Sequence, residues 1–384
     1  MKPLSGCRVL DLGIITAGAA TSAVLADFGA EVIKVESPSY RDPFRRWLSD
    51  KPADADPTLS PFFRATNRGK SGLSLNLKHP LGRAAFLRLV GRSDVVVENF
   101  RRGVLPKMGL AFEDLRAANP SIILASISSQ GEDGPDAGYV SYGSTLEAVA
   151  GLAWTTGYAG GPPMLSGVDL NYPDQIVALF ASSMILTAWS DRQRRDGAVH
   201  LDLSQRELTS FLSGETFVAA GAGLAVDREG NSQSPYLLQD CFRSADGLWI
   251  ALSVAEAGAV ALEQAGIALE ALSEWIGRHD AAAALDRLHG LGIPAEPAMD
   301  GRAVMAAGDT VWTHALERTP GGHLAKGFPL QFETEPLAIT REAPGIGADT
   351  EEVLRRVGEM TDAEIDALYE AGAIEPRTSG PLKE

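Results

Sequence analysis

The chain has 384 residues, 45% of them hydrophobic and 22% charged, which is typical of a globular protein long enough for two domains. Its net charge of −16 argues against non-specific binding to nucleic acid and to anionic membrane surfaces. The apolar runs are too short to cross a bilayer, the first ten residues lack a secretory segment, and two distant cysteines, Cys7 and Cys241, favour a reducing cytoplasm.

Strand and helix signals alternate over the first 130 residues. The predicted strands are 7–12, 31–36, 72–77, 94–100 and 121–128, and the predicted helices are 17–28, 80–90 and 112–118. This βαβα order favours a mostly parallel sheet covered by helices, with the ligand at the carboxyl ends of the strands. We therefore expect an α/β protein with a Rossmann-like large domain.

The remaining segments predict a further helix–strand–helix unit and a smaller α/β domain. The helices are 175–195 and 204–217, the strands are 199–203 and 248–254, a long loop covers 42–68, and Gly/Pro-rich turns cover 131–143 and 157–167. The pattern loosens at 221–234, and a last helix at 361–371 begins with a capping box. We expect a discontinuous large domain of residues 1–220 and 326–384, and a small domain of residues 221–325.

Asp174 follows Pro173 and directly precedes an apolar helical stretch. A carboxylate at a helix N-terminus can cap free N–H groups, and the helix dipole keeps it ionised. In a cleft, an ionised carboxylate can also attack an activated acyl group. From its position alone, the cap is the favoured interpretation, because aspartate is among the commonest capping residues.

A basic segment points to an anionic ligand. Between Arg41 and Lys107 there are 14 Lys/Arg against 6 Asp/Glu, a local excess of eight positive charges in an acidic protein, although solvated faces would give the same count. Gly13 and Gly18 flank the first predicted strand-to-helix turn, but a G-x-G-x-x-G motif is absent, which disfavours a nucleotide-dependent dehydrogenase. The six histidines lack the spacing of metal ligands, so we expect no metal site.

Several segments together are more specific than any one of them. They are 3–12, 25–36, 67–71 with 75–78, 97–103 with 107–109, 155–158, 161–163, the Pro173-Asp174 step, 327–329 and 343–347. With these segments the chain resembles the family III coenzyme A transferases, a superfamily that includes formyl-CoA transferase, carnitine CoA-transferase and α-methylacyl-CoA racemase. The resemblance extends over nearly the whole chain.

The resemblance implies a two-domain α/β protein whose chains interlock as dimers. It also implies that Asp174 attacks an acyl-CoA thioester, that the aspartyl anhydride becomes an aspartyl-CoA thioester, and that an acceptor acid then takes the CoA. No metal or tightly bound cofactor is implied, because coenzyme A enters as the thioester substrate. The partners would be an acyl-CoA, a carboxylic acid, and a second copy or a paralogue in a heteromer.

The family's CoA-binding positions can be carried over residue by residue. They fall on Thr16, Ala17, Leu75, Lys78, Asn99, Phe100, Arg101, Lys107 and Tyr142. A family arginine after the second strand is Ser37 here, so Arg41 or Arg45 is expected to contact the adenosine phosphates instead. The loop at 155–167 is expected to contribute to the acyl pocket, where Trp154, Tyr158 and Met164 favour an apolar or aromatic acid.

Two departures from the family pattern leave alternatives open. The glycine-rich lid of the formyl-CoA transferases is replaced by Gly230–Pro235, and the small domain is short between 255 and 289. A non-catalytic or half-site subunit, in which Asp174 only caps its helix, would fit that shortening. A racemase would need a second acid/base, but the loop between Gly131 and Tyr142 contains no histidine.

Overall fold

The computed structural model describes residues 2–47, 60–167, 170–307, 316–328, 332–333 and 335–376. The strands are β1 (Arg8–Asp11), β2 (Glu31–Glu36), β3 (Lys70–Ser74), β4 (Val95–Glu98), β5 (Ile123–Ser128), β6 (Val199–Ser204), β7 (Leu238–Arg243), β8 (Trp249–Val254), β9 (Ala295–Pro297), β10 (Leu316–Arg318) and β11 (Leu324–Lys326). The helices are α1 (Ala17–Asp27), α2 (Pro61–Asn67), α3 (Pro80–Val90), α4 (Val104–Lys107), α5 (Phe112–Ala118), α6 (Gly143–Val149), α7 (Leu152–Thr155), α8 (Tyr172–Ser190), α9 (Gln205–Leu212), α10 (Gly214–Gly221), α11 (Glu256–Gln264), α12 (Leu272–Gly277), α13 (Ala281–Gly290), α14 (Gly301–Ala307), α15 (Thr350–Arg356) and α16 (Asp362–Glu370).

The first six strands form one sheet in the order β3-β2-β1-β4-β5-β6, and every neighbouring pair is parallel. In β1, Val9 pairs with Val32 on one side and with Val95 on the other. The strand order reverses direction between β1 and β4, which is the doubly wound arrangement of Rossmann folds. The predicted α/β fold with a mostly parallel sheet is confirmed.

Both faces of this sheet are buried, and successive strand residues alternate between them. Val9 belongs to a core that also contains Leu25 of α1 and Ile185 of α8, whereas Leu10 belongs to a core with Phe86 of α3 and Leu354 of α15. Burial on both sides explains the apolar runs of these strands, such as Val95–Val97 of β4 and Ile123–Ala125 of β5.

The structure departs from the predicted elements at two places. The predicted loop at 42–68 contains α2 next to a part, 48–59, that lies outside the described residues. Helix α2 is too short to show helical periodicity and forms because Phe63 is fully buried against Phe44. The predicted helix at 204–217 is interrupted at Ser213 and forms α9 and α10. The capping box at the start of α16 is confirmed, since Thr361 and Glu364 hydrogen-bond each other's backbone N–H.

The chain divides into two compact units. The first contains residues 1–152, 165–215 and 314–384, and the second contains residues 153–164 and 216–313. Residues 153–164, which the sequence prediction placed in the large domain, belong to the second unit because Arg228 donates hydrogen bonds to the carbonyls of Trp154 and Gly161. The second unit contains the antiparallel sheet β7-β8-β9, whose core includes Ile250. None of the described helices is long and apolar enough to cross a membrane.

Candidate functional site

The first unit has a cavity of about 620 Å³ at the carboxyl ends of its strands, where the strand order reverses. Its lining comes from the loops that follow β1, β2, β3, β4 and β5, together with the first turns of α8 and α9. The polar lining residues include Lys78, Asn99, Arg101, Arg102, Ser128, Ser129, Ser141, Tyr142, Asp174 and Gln205. The loops of five strands and the first turns of α8 and α9 therefore bring cations, amides and three carboxylates, those of Glu36, Asp42 and Asp174, into a single cavity.

The loop between β1 and α1 forms one wall of this cavity. Hydrogen bonds to side chains, rather than backbone pairing with another strand, fix its conformation. The Ile14 N–H donates to Asn99 Oδ1 at 2.8 Å, and Asn99 Nδ2 donates back to the Ile14 carbonyl at 3.0 Å. The Ile15 N–H donates to Asp42 Oδ1 at 3.1 Å. Ile15 has a φ of +59°, which is strained for a β-branched residue. Asn99 and Asp42 thus fix a conformation that this loop would not adopt alone.

Two buried ion pairs lie beneath this loop. Lys34 Nζ lies 2.9 Å from Asp42 Oδ2 and also donates to the carbonyl of Gly13, and Lys70 Nζ lies 2.8 Å from Asp11 Oδ2. Burial lowers the pKa of Lys34, but the neighbouring carboxylates outweigh it and raise that pKa above its ordinary value. Burial is the largest effect on Lys70 and lowers its pKa to about 8 despite its pairing with Asp11. The two ion pairs connect β1, β2 and β3 in the interior.

Many of the basic residues between 41 and 107 form ion pairs. Arg45 is buried and lies 2.5 Å from Glu36, and Arg41 lies 2.6 Å from Glu375. Within the described part of the segment, the cations that line the cavity are Lys78, Arg101 and Arg102. The pairing of Arg41 and Arg45 with carboxylates explains why neither reaches the cavity as the sequence prediction expected.

Glu98 supports the loop after β4. Its carboxylate accepts the Phe100 N–H at 2.7 Å, next to the cavity residues Asn99 and Arg101. Burial raises the pKa of Glu98 to about 7, and its hydrogen bonds with Ser126 and the Phe100 N–H oppose that rise. This carboxylate therefore titrates near neutral pH directly behind the cavity wall.

Asp174 is the third residue of α8 and faces the cavity. The residue at the cap position of this helix is Asn171, so Asp174 is not the N-cap. Gln205 Nε2 donates a hydrogen bond to Asp174 Oδ1 at 3.2 Å. Burial raises the pKa of Asp174 to about 6, against the lowering effect of that hydrogen bond. The site thus holds a desolvated carboxylate that is ionised at neutral pH.

Gly143, the first residue of α6, lies beside the second oxygen of this carboxylate. A Cβ atom at this position would lie 2.9 Å from Asp174 Oδ2 and 3.2 Å from the Cα of Asn171. Any side chain here would enter the space next to Oδ2. The arrangement leaves one carboxylate oxygen hydrogen-bonded to Gln205 and fits the other closely against Gly143, so the position of the carboxylate is well defined.

Comparison with known proteins identifies the family. The family model described as CoA-transferase family III matches residues 4–269 and 259–350. The chain belongs to CoA-transferase family III. The match covers both the cavity loops and Asp174, and the second unit as well.

Relatives of this family III chain include named transferases. This chain is 36% identical over 254 residues to succinate–glutarate CoA-transferase of Agrobacterium fabrum, and the alignment covers 65% of this chain and 62% of the relative. It is 29% identical over 397 residues to the succinyl-CoA–L-malate CoA-transferase beta subunit of Chloroflexus aurantiacus, covering 95% and 96%. For five curated relatives, however, the match spans only 54–62% of the relative's length.

Solved structures agree with the fold. A CAIB/BAIF family protein from Brucella suis is similar with a TM-score of 0.83 and 26% identity, covering 93% of this chain and 99% of that one. A hypothetical protein from Mycobacterium tuberculosis is similar with a TM-score of 0.71 and 25% identity, covering 91% and 99%.

The structure separates the predicted site residues of the family III chain into two groups. The cavity is lined by Leu75, Lys78, Asn99, Phe100, Arg101, Tyr142 and Asp174. The lining does not include Thr16, Ala17, Arg41 and Lys107. Thr16 and Ala17 are buried at the start of α1, and Lys107 is an exposed residue at the end of α4.

Sequence reasoning missed three residues of the site. Gln205 follows the last strand of the parallel sheet, a position that the rule on strand ends could have found. Asp42 lay inside a segment that was interpreted as a loop, and Gly143 carries no chemistry of its own. Their importance depends on distances that the chain order does not show.

Proposed function

We propose that this chain is a CoA transferase that moves CoA from an acyl-CoA donor to a carboxylic acid through Asp174. The observation that carries the proposal is the position of the Asp174 carboxylate, which is partly buried and hydrogen-bonded to Gln205 in the same cavity as Lys78 and Arg101. The named relatives, which are CoA-transferases, support the same reaction class. A carboxylate that only capped a helix would not need to face a cavity that three cations line.

The reaction is a series of acyl transfers in which charge balances at every step. A carboxylate oxygen of Asp174 attacks the thioester carbonyl carbon, the C–O bond forms, the C–S bond breaks, and CoA leaves as the thiolate. The thiolate attacks the Asp174 carbonyl carbon of the anhydride, releasing the donor acid as a carboxylate and leaving an aspartyl-CoA thioester. The acceptor carboxylate then attacks this thioester, which releases the CoA thiolate and leaves an anhydride between Asp174 and the acceptor. The thiolate finally attacks the acceptor's acyl carbon, forms the new acyl-CoA and regenerates the Asp174 carboxylate.

The cavity also supplies the groups that would bind CoA. Lys78, Arg101 and Arg102 are exposed cations at its edge and would bind the phosphates. The apolar lining, which includes Leu75 and Phe100, would contact the adenine and the pantetheine chain. We propose these residues, with Asn99 and Tyr142, as the coenzyme site.

Substitution of Asp174 tests the nucleophile. Asp174→Ala is expected to abolish CoA transfer while leaving the fold and CoA affinity nearly unchanged. Incubation of the unmodified protein with succinyl-CoA and then hydroxylamine is expected to convert Asp174 into a hydroxamate, detected by mass spectrometry of the peptide. Asp191→Ala, at the exposed far end of α8, is the matched control and is expected to keep full activity. Transferase turnover by the Asp174→Ala variant would contradict the assignment.

A racemase is a weaker candidate within the same fold. Exchange of an α-proton needs two acid/base groups at the substrate. Among the described residues that line the cavity, none is a histidine, and His200 hydrogen-bonds to Ser126 instead. Absence of deuterium incorporation at the α-carbon of an acyl-CoA in D₂O would agree with transfer rather than racemisation.

The substrates and the assembly complete the proposal. The names of the relatives favour succinyl-CoA as the first donor to test. The sequence alone, through side-chain types such as Trp154 and Tyr158, favours an apolar or aromatic acid instead. We propose a cytoplasmic dimer of identical chains or of this chain with a paralogue. A screen of succinyl-, acetyl- and aryl-CoA donors with the protein alone and with any co-transcribed paralogue, together with light scattering, distinguishes these cases. Activity only in the mixture would identify this chain as one half of a heteromer.

A further inference from the structure

We infer that Gln205 positions Asp174 so that Oδ2 is the attacking oxygen, and that Gly143, which has no Cβ atom, leaves room for Oδ2 in that position. This inference rests on the proposed function, because it assigns the two oxygens of the proposed nucleophile to different tasks. It concerns two residues on separate helices, α9 and α6, that both lie beside Asp174.

The position of Gln205 is rigidly determined by the chain around it. Gln205 is the first residue of α9, and the side chain of Ser204 caps that helix by accepting the Glu207 N–H at 3.2 Å. The Thr209 hydroxyl donates to the Gln205 carbonyl at 2.8 Å. Gln205 itself is only 6% exposed. A buried side chain on a capped helix turn therefore reaches Asp174 from a fixed point.

A side-chain amide suits this task better than a charged group would. Its N–H stabilises the ionised carboxylate without transferring a proton, so it keeps Asp174 nucleophilic. Because the bond is made to Oδ1 at 3.2 Å, the lone pairs of Oδ2 stay available for attack. Among the described residues, Gln205 is the side chain found to hydrogen-bond Asp174.

The backbone conformation of Gly143 does not itself require glycine. Gly143 lies outside the left-handed region, unlike many glycines of this chain. Space is the remaining reason, since a Cβ atom here would lie 2.9 Å from Oδ2. A methyl group at position 143 would therefore displace Oδ2, and a displacement of about 1 Å can lower the rate of such a reaction roughly a hundred-fold.

The reaction step follows from this geometry. Oδ2 donates its electron pair to the thioester carbonyl carbon, the C–O bond of the anhydride forms, and the C–S bond breaks to release the CoA thiolate. Oδ1 stays bonded to the Gln205 amide while the carboxylate loses its charge. Gln205 thus acts through Asp174 and is a positioning residue.

Gln205→Leu tests the first half, with Gln175→Leu as the matched control. Gln175 is the neighbour of Asp174 on α8, and its side chain hydrogen-bonds Lys326 at 2.9 Å. Titration of [13Cγ]-aspartate by NMR, with Asp174→Asn to assign the signal, is expected to show a higher Asp174 pKa in Gln205→Leu only. For the exchange of CoA between succinyl-CoA and free succinate, kcat of Gln205→Leu is expected to fall roughly ten- to hundred-fold, with KM changed less than about two-fold. The acid limb of the pH profile is expected to move to higher pH.

Gly143→Ala tests the second half, with Gly214→Ala as the control because a Cβ there meets nothing within 4 Å. Hydroxylamine labelling of Asp174 after succinyl-CoA is expected to fall at least about ten-fold. CoA affinity by calorimetry and the melting temperature are expected to stay close to those of the unmodified protein.

Each result separates this inference from the proposed function. An unchanged Asp174 pKa in Gln205→Leu, or normal labelling in Gly143→Ala, would overturn the inference while leaving Asp174 as the nucleophile. Absence of labelling in the unmodified protein would overturn the proposed function, and the NMR titration, which needs no substrate, would still decide whether Gln205 stabilises the carboxylate.

Discussion

The desolvation of Asp174 predicts that its neutralisation stabilises the fold. The pKa of this carboxyl lies at about 6 in the folded chain instead of 3.8, and this difference corresponds to roughly 3 kcal/mol at about 1.36 kcal/mol per pH unit. Between these pH values the folded chain binds more protons at Asp174 than the unfolded chain, so stability falls as the pH rises through the window. Asp174→Asn, which mimics the neutral form, removes that loss.

The size of the gain depends on pH. A carboxylate in the first turn of α8 also interacts favourably with the helix dipole, and the loss of this interaction subtracts about 0.5 kcal/mol. The expected net gain of Asp174→Asn is therefore about 2.5 kcal/mol at a pH of about 8, and it vanishes below about pH 4. Urea denaturation of both proteins at several pH values, followed by tryptophan fluorescence, measures it.

The two interpretations of Asp174 give opposite signs in this experiment. If Asp174 only stabilised the start of α8, Asp174→Asn would be neutral or less stable at every pH. A variant that is no more stable than the unmodified protein at alkaline pH, or a difference that does not change with pH, would refute the reasoning. Stability gained at the expense of activity is common at functional sites.

Three further predictions concern the cavity. Lys78→Ala is expected to weaken CoA binding several-fold in calorimetry, and less so at high ionic strength, whereas Arg116→Ala on the exposed face of α5 is expected to have no effect. Lys34→Met is expected to lower the free energy of unfolding by about 3–5 kcal/mol, because it leaves the Asp42 charge buried and unpaired. The double variant Lys34→Met with Asp42→Asn is expected to recover part of that loss. If denaturation showed that the losses of the two single variants simply add, this expectation would be contradicted. Gly18→Ala is expected to lower both the melting temperature and CoA affinity, since its Cβ would lie 2.7 Å from the backbone of the β1–α1 loop. An unchanged melting temperature would argue against close packing between Gly18 and that loop.

Much of the fold could be predicted because its parallel strands are buried on both faces. Segments such as 95–97 and 122–125 are wholly apolar, and the alternation of strands with helices allows few topologies. Helix α2 could not be predicted, because its seven residues give too little periodicity and its stability comes from the burial of Phe63. The grouping of 153–164 with the second unit likewise depends on distant hydrogen bonds from Arg228.

The site was predicted less completely than the fold. Residues in the loops after strands, such as Lys78 after β3 and Asn99 after β4, were predicted at the site and line the cavity. The count of positive charges could not show that Arg41 and Arg45 are paired with Glu375 and Glu36, because partners so far apart in sequence meet only after folding. Charge composition therefore indicated an anionic ligand without identifying the side chains that would bind it.

The division of the chain has a consequence for protein engineering. Because the second unit is made of 153–164 as well as 216–313, the chain passes between the two units four times. A chimera that exchanged only 216–313 with a related protein would leave 153–164 behind with a foreign partner. Arg228 would then be lost from the carbonyls of Trp154 and Gly161 that it now holds. An exchange of the second unit between related proteins should therefore move both segments together.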